Sequence, residues 1–113
     1  MEVQPREVRN YQTPAGKEPF PQWLDDLRDN RARGRIEKRL ARIRLGNLGN
    51  YRFVGEGVWE IKIDYGPGYR IYFGQVGTTL ILLLCGGDKS SQSEDISIAQ
   101  DYWRNYEQCE DTI

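Results

Sequence analysis

Apolar and polar residues alternate twice in quick succession in the middle of the chain. Along Trp59-Glu60-Ile61-Lys62-Ile63-Asp64-Tyr65 the odd positions are apolar and the even ones ionisable, and after Gly66-Pro67-Gly68 the alternation resumes in Tyr69-Arg70-Ile71-Tyr72-Phe73. A period of two belongs to a strand, so the pattern predicts a β-hairpin. Trp59, Ile61, Ile63, Tyr65, Tyr69, Ile71 and Phe73 face the core, and Glu60, Lys62, Asp64, Arg70 and Tyr72 share the opposite, solvent-facing side.

Elsewhere the period changes. Phe20, Trp23, Leu24 and Leu27 recur at helical spacing behind the prolines at 19 and 21, which marks a short amphipathic helix. Asp29 or Asn30 caps a second helix that runs to about Leu45 with Ile36, Leu40 and Ile43 on its inner face, and Gly46-Asn47 ends it. Val8 to Thr13 reads as a weak first strand. Strands follow at Tyr51 to Val54, Val58 to Tyr65, Tyr69 to Gln75 and Thr79 to Cys85, with Gly-rich turns suited to an antiparallel meander. The last is apolar on both faces, as in an interior strand covered from both sides. Ser91 with Glu94 three residues on resembles a capping box, and Ile96, Ala99, Trp103 and Tyr106 form one stripe of a C-terminal helix. The order β-α-α-β-β-β-β-α predicts an α+β fold in which two N-terminal helices pack on an antiparallel sheet and a C-terminal helix lies alongside.

With 113 residues the chain is expected to form one domain over 1–113. The N-terminus lacks the apolar core of a signal peptide, and the run Leu80 to Cys85 is too short to cross a bilayer, so a cytoplasmic protein without membrane contact is expected. The chain has no histidine and two separated cysteines, Cys85 and Cys109. Neither a disulfide nor a zinc site is expected, and no metal or other cofactor. No GxxxxGK[ST] pattern follows Gly86-Gly87, so a nucleotide site is not expected.

The net charge of −1 hides a segregation. Seven cations (Arg31, Arg33, Arg35, Lys38, Arg39, Arg42, Arg44) lie between 31 and 44 against Glu37 alone, whereas seven acids follow from Asp88 onward against Lys89 and Arg104. Like charges four apart on the second helix repel. Their density predicts an anionic partner, either RNA or an acidic protein segment, for Arg35, Lys38, Arg39 and Arg42.

The element order, the hairpin and the sequence from Leu82 through Gly86-Gly87-Asp88-Lys89 to Gln92 together resemble the RelE/ParE superfamily of bacterial toxins. The similarity is greatest to its HigB-like, phage-derived branch of addiction-module killer proteins, and it runs from Phe20-Pro21-Gln22-Trp23-Leu24 to Ala99 and Trp103. The resemblance implies the toxin of a type II toxin–antitoxin system, acting as a ribosome-dependent mRNA endonuclease that inhibits translation. Its implied partners are the ribosome, mRNA and a cognate antitoxin, a small helix-turn-helix protein. A gyrase-inhibiting toxin of the same fold without catalytic residues, or a non-toxic phage-derived nucleic-acid-binding protein, are the alternatives.

By the same resemblance, Arg70 is the strand arginine that holds the scissile phosphate, Lys89 the basic residue after the last strand, and Lys62 the lysine of the preceding strand. The family's C-terminal tyrosine or histidine has no match: Asp95 or Gln92 falls there. Cleavage by 2′-OH attack requires proton removal, stabilisation of the phosphorane and protonation of the leaving oxygen. Arg70 offers a planar fork of donors and Lys89 or Lys62 a point charge. Glu60 or Asp64 is a candidate base, and Tyr72 or a lysine a candidate acid. Against this stands a structural reading, in which Glu60, Lys62 and Arg70 form cross-strand ion pairs on a wet face, each contributing ~0.2–1 kcal/mol. Tyr65 and Tyr69, which flank the Gly-Pro-Gly turn, are read as structural residues of the hairpin, with stacking on bases as the alternative.

Overall fold

A computed structural model describes residues 4–111 as an α+β fold of five strands and three helices. In chain order these are β1 (Glu7–Asn10), α1 (Pro19–Asp26), α2 (Asn30–Arg44), β2 (Tyr51–Gly55), β3 (Val58–Ile63), β4 (Tyr69–Val76), β5 (Leu80–Gly87) and α3 (Gln92–Asp111), with a 3₁₀ turn at Lys89–Ser91 before α3.

Local chemistry accounts for the helix starts. Pro19 opens α1, where its missing N–H costs nothing. Asp29 caps α2 by accepting from the Arg31 and Ala32 amides at 2.9 and 3.2 Å. Ala32, Ile36, Leu40 and Ile43 then fall on one buried stripe. Ahead of α3, where a Ser91–Glu94 capping box is expected, the Ser91 hydroxyl donates to the Asp95 carboxylate at 2.5 Å. Asp88 instead accepts from the Ser90 amide at 2.8 Å and shapes the 3₁₀ turn.

The strands run in the order β1-β5-β4-β3-β2. From β2 to β5 the sheet is the expected antiparallel meander. The first strand departs from the expectation: it is shorter, and it pairs parallel to β5, from Glu7 opposite Leu80 to Asn10 opposite Leu83. The two apolar faces of β5 are covered by helices, and β1 pairs with its free edge, so β5 lies inside the sheet and the sheet is mixed.

Helices cover both faces. Phe20, Ile36, Leu40 and Ile43 pack on Ile61, Ile63, Ile71, Phe73, Ile81 and Leu83 on one side. On the other, Ala99 and Trp103 of α3 pack with Val58, Tyr72, Leu82, Leu84 and Cys85. Each buried aliphatic side chain contributes roughly 1.5–3 kcal/mol relative to exposure. Two strand glycines permit the close approach. A Cβ at Gly86 would stand 2.3 Å from the Trp23 ring of α1, and one at Gly74 would stand 2.1 Å from the Trp103 ring of α3.

This layering corrects the expectation of a wet hairpin face. The alternation holds, with Glu60 opposite Tyr72 and Lys62 opposite Arg70. Yet α3 lies over that face, and Glu60, Arg70 and Tyr72 are buried.

Candidate functional site

The charged hairpin face has a closed part and an open part. In the closed part Glu60, 3% exposed, is gripped from three directions. Arg52 Nε donates to its Oε1 at 2.8 Å, Gln92 Nε2 donates to its Oε2 at 3.0 Å, and Arg70 Nε stands 3.6 Å from Oε2. Burial pushes the Glu60 carboxyl up, but the hydrogen bonds from Arg52 and Gln92 and the Arg52 charge outweigh it, so the group sits below its ordinary value of 4.5. Tyr72 is fully buried, and burial together with the Glu60 charge holds its hydroxyl well above the ordinary phenol range. A carboxylate so held is a weak base, and a phenol so placed stays neutral out of reach of solvent.

Arg70, 6% exposed, joins the two parts. Its Nη1 donates to the Gly68 carbonyl at 2.9 Å, which ties the guanidinium to the hairpin turn. Its Nε makes no hydrogen bond among the described residues, and Arg70 also lines the open part. There a pocket of about 320 Å³ is lined by Lys62, Asp64, the turn Gly66-Pro67-Gly68, Arg70 and Lys89. The strand arginine, the preceding-strand lysine and the lysine after β5, apart in sequence, thus share one concavity. Asp64 is on its rim, 3.3 Å from Lys62 Nζ. Asp88, held below its ordinary value chiefly by the Ser90 hydroxyl, is also close enough to feel the Arg70 charge.

A second cleft, of about 560 Å³, is lined by Arg35, Lys38, Arg39, Arg42, Asn50, Lys62, Ile63 and Asp64. All four cations singled out on the second helix line it. Lys62 and Asp64 belong to both concavities, so the basic face of α2 leads into the pocket of Arg70 and Lys89. Arg39 is partly structural, donating to the Leu48 and Asn50 carbonyls at 3.3 and 3.4 Å. Arg35 lies over the Tyr65 ring, 4.5 Å from its centre. Tyr69 is buried with its ring edge-on to Trp23, a core position.

Sequence reasoning missed Arg52, because nothing in β2 marks which charge across the ladder it meets. It also missed Gln92 as a partner of Glu60, and Asp95 as a carboxylate seated against Gly87, whose Cβ would lie 1.8 Å from Asp95 Oδ2. Burial raises the Asp95 carboxyl above its ordinary value, although the Ser91 hydroxyl opposes the shift. The glycine pair at 86 and 87 was the available signal, since strand glycines mark a close approach.

Fold and site together define an α+β protein with a cationic cleft leading into an arginine–lysine pocket. An uncharacterized protein of Haemophilus influenzae is 43% identical over 81 residues, which are 72% of this chain and 82% of that protein, and the chain belongs to the same family. No protein-family model and no solved structure matches. Among the described residues no helix is long and apolar enough to cross a membrane.

Proposed function

We propose that this chain is the toxin of a type II toxin–antitoxin pair and arrests translation by cleaving mRNA on the ribosome. One observation carries the reading beyond the resemblance: the cleft cations of α2 and the pocket residues Arg70 and Lys89 meet at Lys62. A polyanion laid along α2 delivers a phosphate to the pocket. There the Arg70 guanidinium and the Lys89 ammonium bear on the phosphoryl oxygens as charge builds, and preorganised donors of this kind contribute about 3–4 kcal/mol each to a transition state. Of the two carboxylates considered as base, Asp64 alone reaches the pocket, and this reading assigns proton removal from the 2′-OH to it and protonation of the leaving 5′-oxygen to a pocket lysine.

A specific observation favours a second reading, the gyrase-inhibiting toxin without catalysis. Glu60 and Tyr72 are closed under α3 and serve the ion-pair network, which removes two of the proposed acid–base groups from the pocket.

Inducing the chain in growing bacteria separates the two. Growth arrest relieved by a cognate antitoxin is expected, with new 5′ ends inside translated regions by primer extension, lost when initiation is blocked and lost in Lys89→Ala. Arrest with intact transcripts and gyrase-dependent DNA breaks would establish the second reading. Unimpaired growth at high soluble expression would sink both.

A further inference from the structure

The sheet face that carries α1 and α2 is left bare at the β2 end. Tyr51 is 41% and Phe53 55% exposed, both on β2, an edge strand whose outer side pairs with no strand among the described residues. Their rings form an array with Trp59 of β3. Phe53 lies 4.9 Å and Tyr51 5.2 Å from the Trp59 ring, and Tyr51 lies 6.0 Å from the buried Phe73. Large aromatics at an exposed edge contribute little to the core, and such a patch marks a contact surface. Its position supplies the chemistry of the partner. Asn50, the residue before Tyr51, lines the cationic cleft, and its carbonyl accepts from Arg39. The rings therefore begin where the cations end.

We propose that Tyr51, Phe53 and Trp59 form a stacking platform for the bases of a single-stranded RNA whose phosphates lie along Arg35, Lys38 and Arg42. Aromatic faces beside a positive groove are the arrangement that holds unpaired strands without base-pair geometry. A peptide strand added to the β2 edge fits less well. A register shift between Phe53 and Gly55 leaves only three regularly paired positions, Tyr51 to Phe53, to template it. The platform rests on the RNA-directed reading above, and it adds where the bases go.

Fluorescence anisotropy with a short single-stranded RNA and its abasic counterpart, which has the same phosphates, tests the platform. The parent protein is expected to prefer the base-bearing oligomer. Tyr51→Ala with Phe53→Ala should weaken that oligomer about tenfold or more and leave the abasic one unchanged. Phe53→Leu keeps an apolar contact to Trp59 and guards against loss of fold; it should lose most of the same preference. Replacing Arg35, Lys38 and Arg42 by Gln should weaken both oligomers alike. Equal affinity of the parent for the two oligomers, or equal losses on both in the aromatic variants, would overturn the platform while leaving an RNA-directed function standing. Binding of neither would overturn the platform, and the RNA reading would then rest on the primer-extension result alone. A sedimentation change from dimer to monomer in the aromatic variants, at unchanged RNA affinity, would assign the patch to self-association and overturn the proposal.

Discussion

Arg70 and the cations of α2 carry the same charge into opposite settings. Arg70 is buried beside Glu60 and tied to the Gly68 carbonyl. Arg35, Lys38 and Arg42 are exposed on a helix whose only acid is Glu37. In the first setting a charge is taken from water and neutralised by a partner, so orientation is bought with desolvation and the guanidinium cannot swing. In the second the charges keep their hydration and repel each other, which favours release of that repulsion onto an external anion. One region is built to hold a geometry, the other to gather a ligand.

The contrast is broken most directly by removing Glu60. Glu60→Ala leaves Arg70 buried without its carboxylate and Arg52 without its partner, and a loss of about 3 kcal/mol or more is expected by urea denaturation. Arg70→Ala should cost a comparable amount, because it strands Glu60 and opens a cavity. Arg70→Ala therefore reports on fold and chemistry together, and Lys89→Ala, at an exposed position, is the cleaner test of the pocket. If Glu60→Ala is as stable as the parent, the buried network does not hold the hairpin.

Acid should reveal the same network more gently. The Glu60 carboxyl in the folded protein lies below its ordinary 4.5, so its contribution is present above that pH and is lost as pH falls through the folded value. Asp88 acts with the same sign, and Asp95, raised by burial, acts against it. Urea titrations from neutrality to below pH 4.5 should show a steeper loss in the parent than in Glu60→Gln. Parallel curves would mean that Glu60 titrates alike in the folded and unfolded chains.

The smallest change in stability is expected on α2. Converting Arg35, Lys38 and Arg42 to Gln spares the Ile36, Leu40 and Ile43 stripe and the Arg39 hydrogen bonds, so stability should stay within about 0.5 kcal/mol. The salt dependence of single-stranded RNA binding should flatten by about 2 units, as three phosphate contacts are lost. An unchanged slope would show that these cations are merely solvated and that the two regions do not differ in role.

Local periodicity made the elements legible in the sequence. The alternation at 59–63 and 69–73, the Ile36, Leu40 and Ile43 stripe, and the capping position at Asp29 all depend on neighbours within a turn or a strand, and each is found in the structure, although the strand expected to reach Tyr65 stops at Ile63. The charge on α2 and the candidates Lys62, Arg70 and Lys89 were legible for the same reason: residue type and strand phase are written locally. Which surface each element would meet was not. The Ile96, Ala99 and Trp103 stripe announced that α3 has an apolar side, but its docking over Glu60, Tyr72 and Arg70 depends on Gly74 making room for Trp103 and on Val58, Leu82 and Leu84 sharing that face. Likewise, the parallel pairing of β1 with β5, the Arg52 and Gln92 grip on Glu60, and the meeting of the two cationic concavities at Lys62 join residues far apart in the chain. Alternation decides which way a side chain points, whereas burial and ion pairing depend on what packs above it, and that is settled by the competition of whole apolar surfaces for cover.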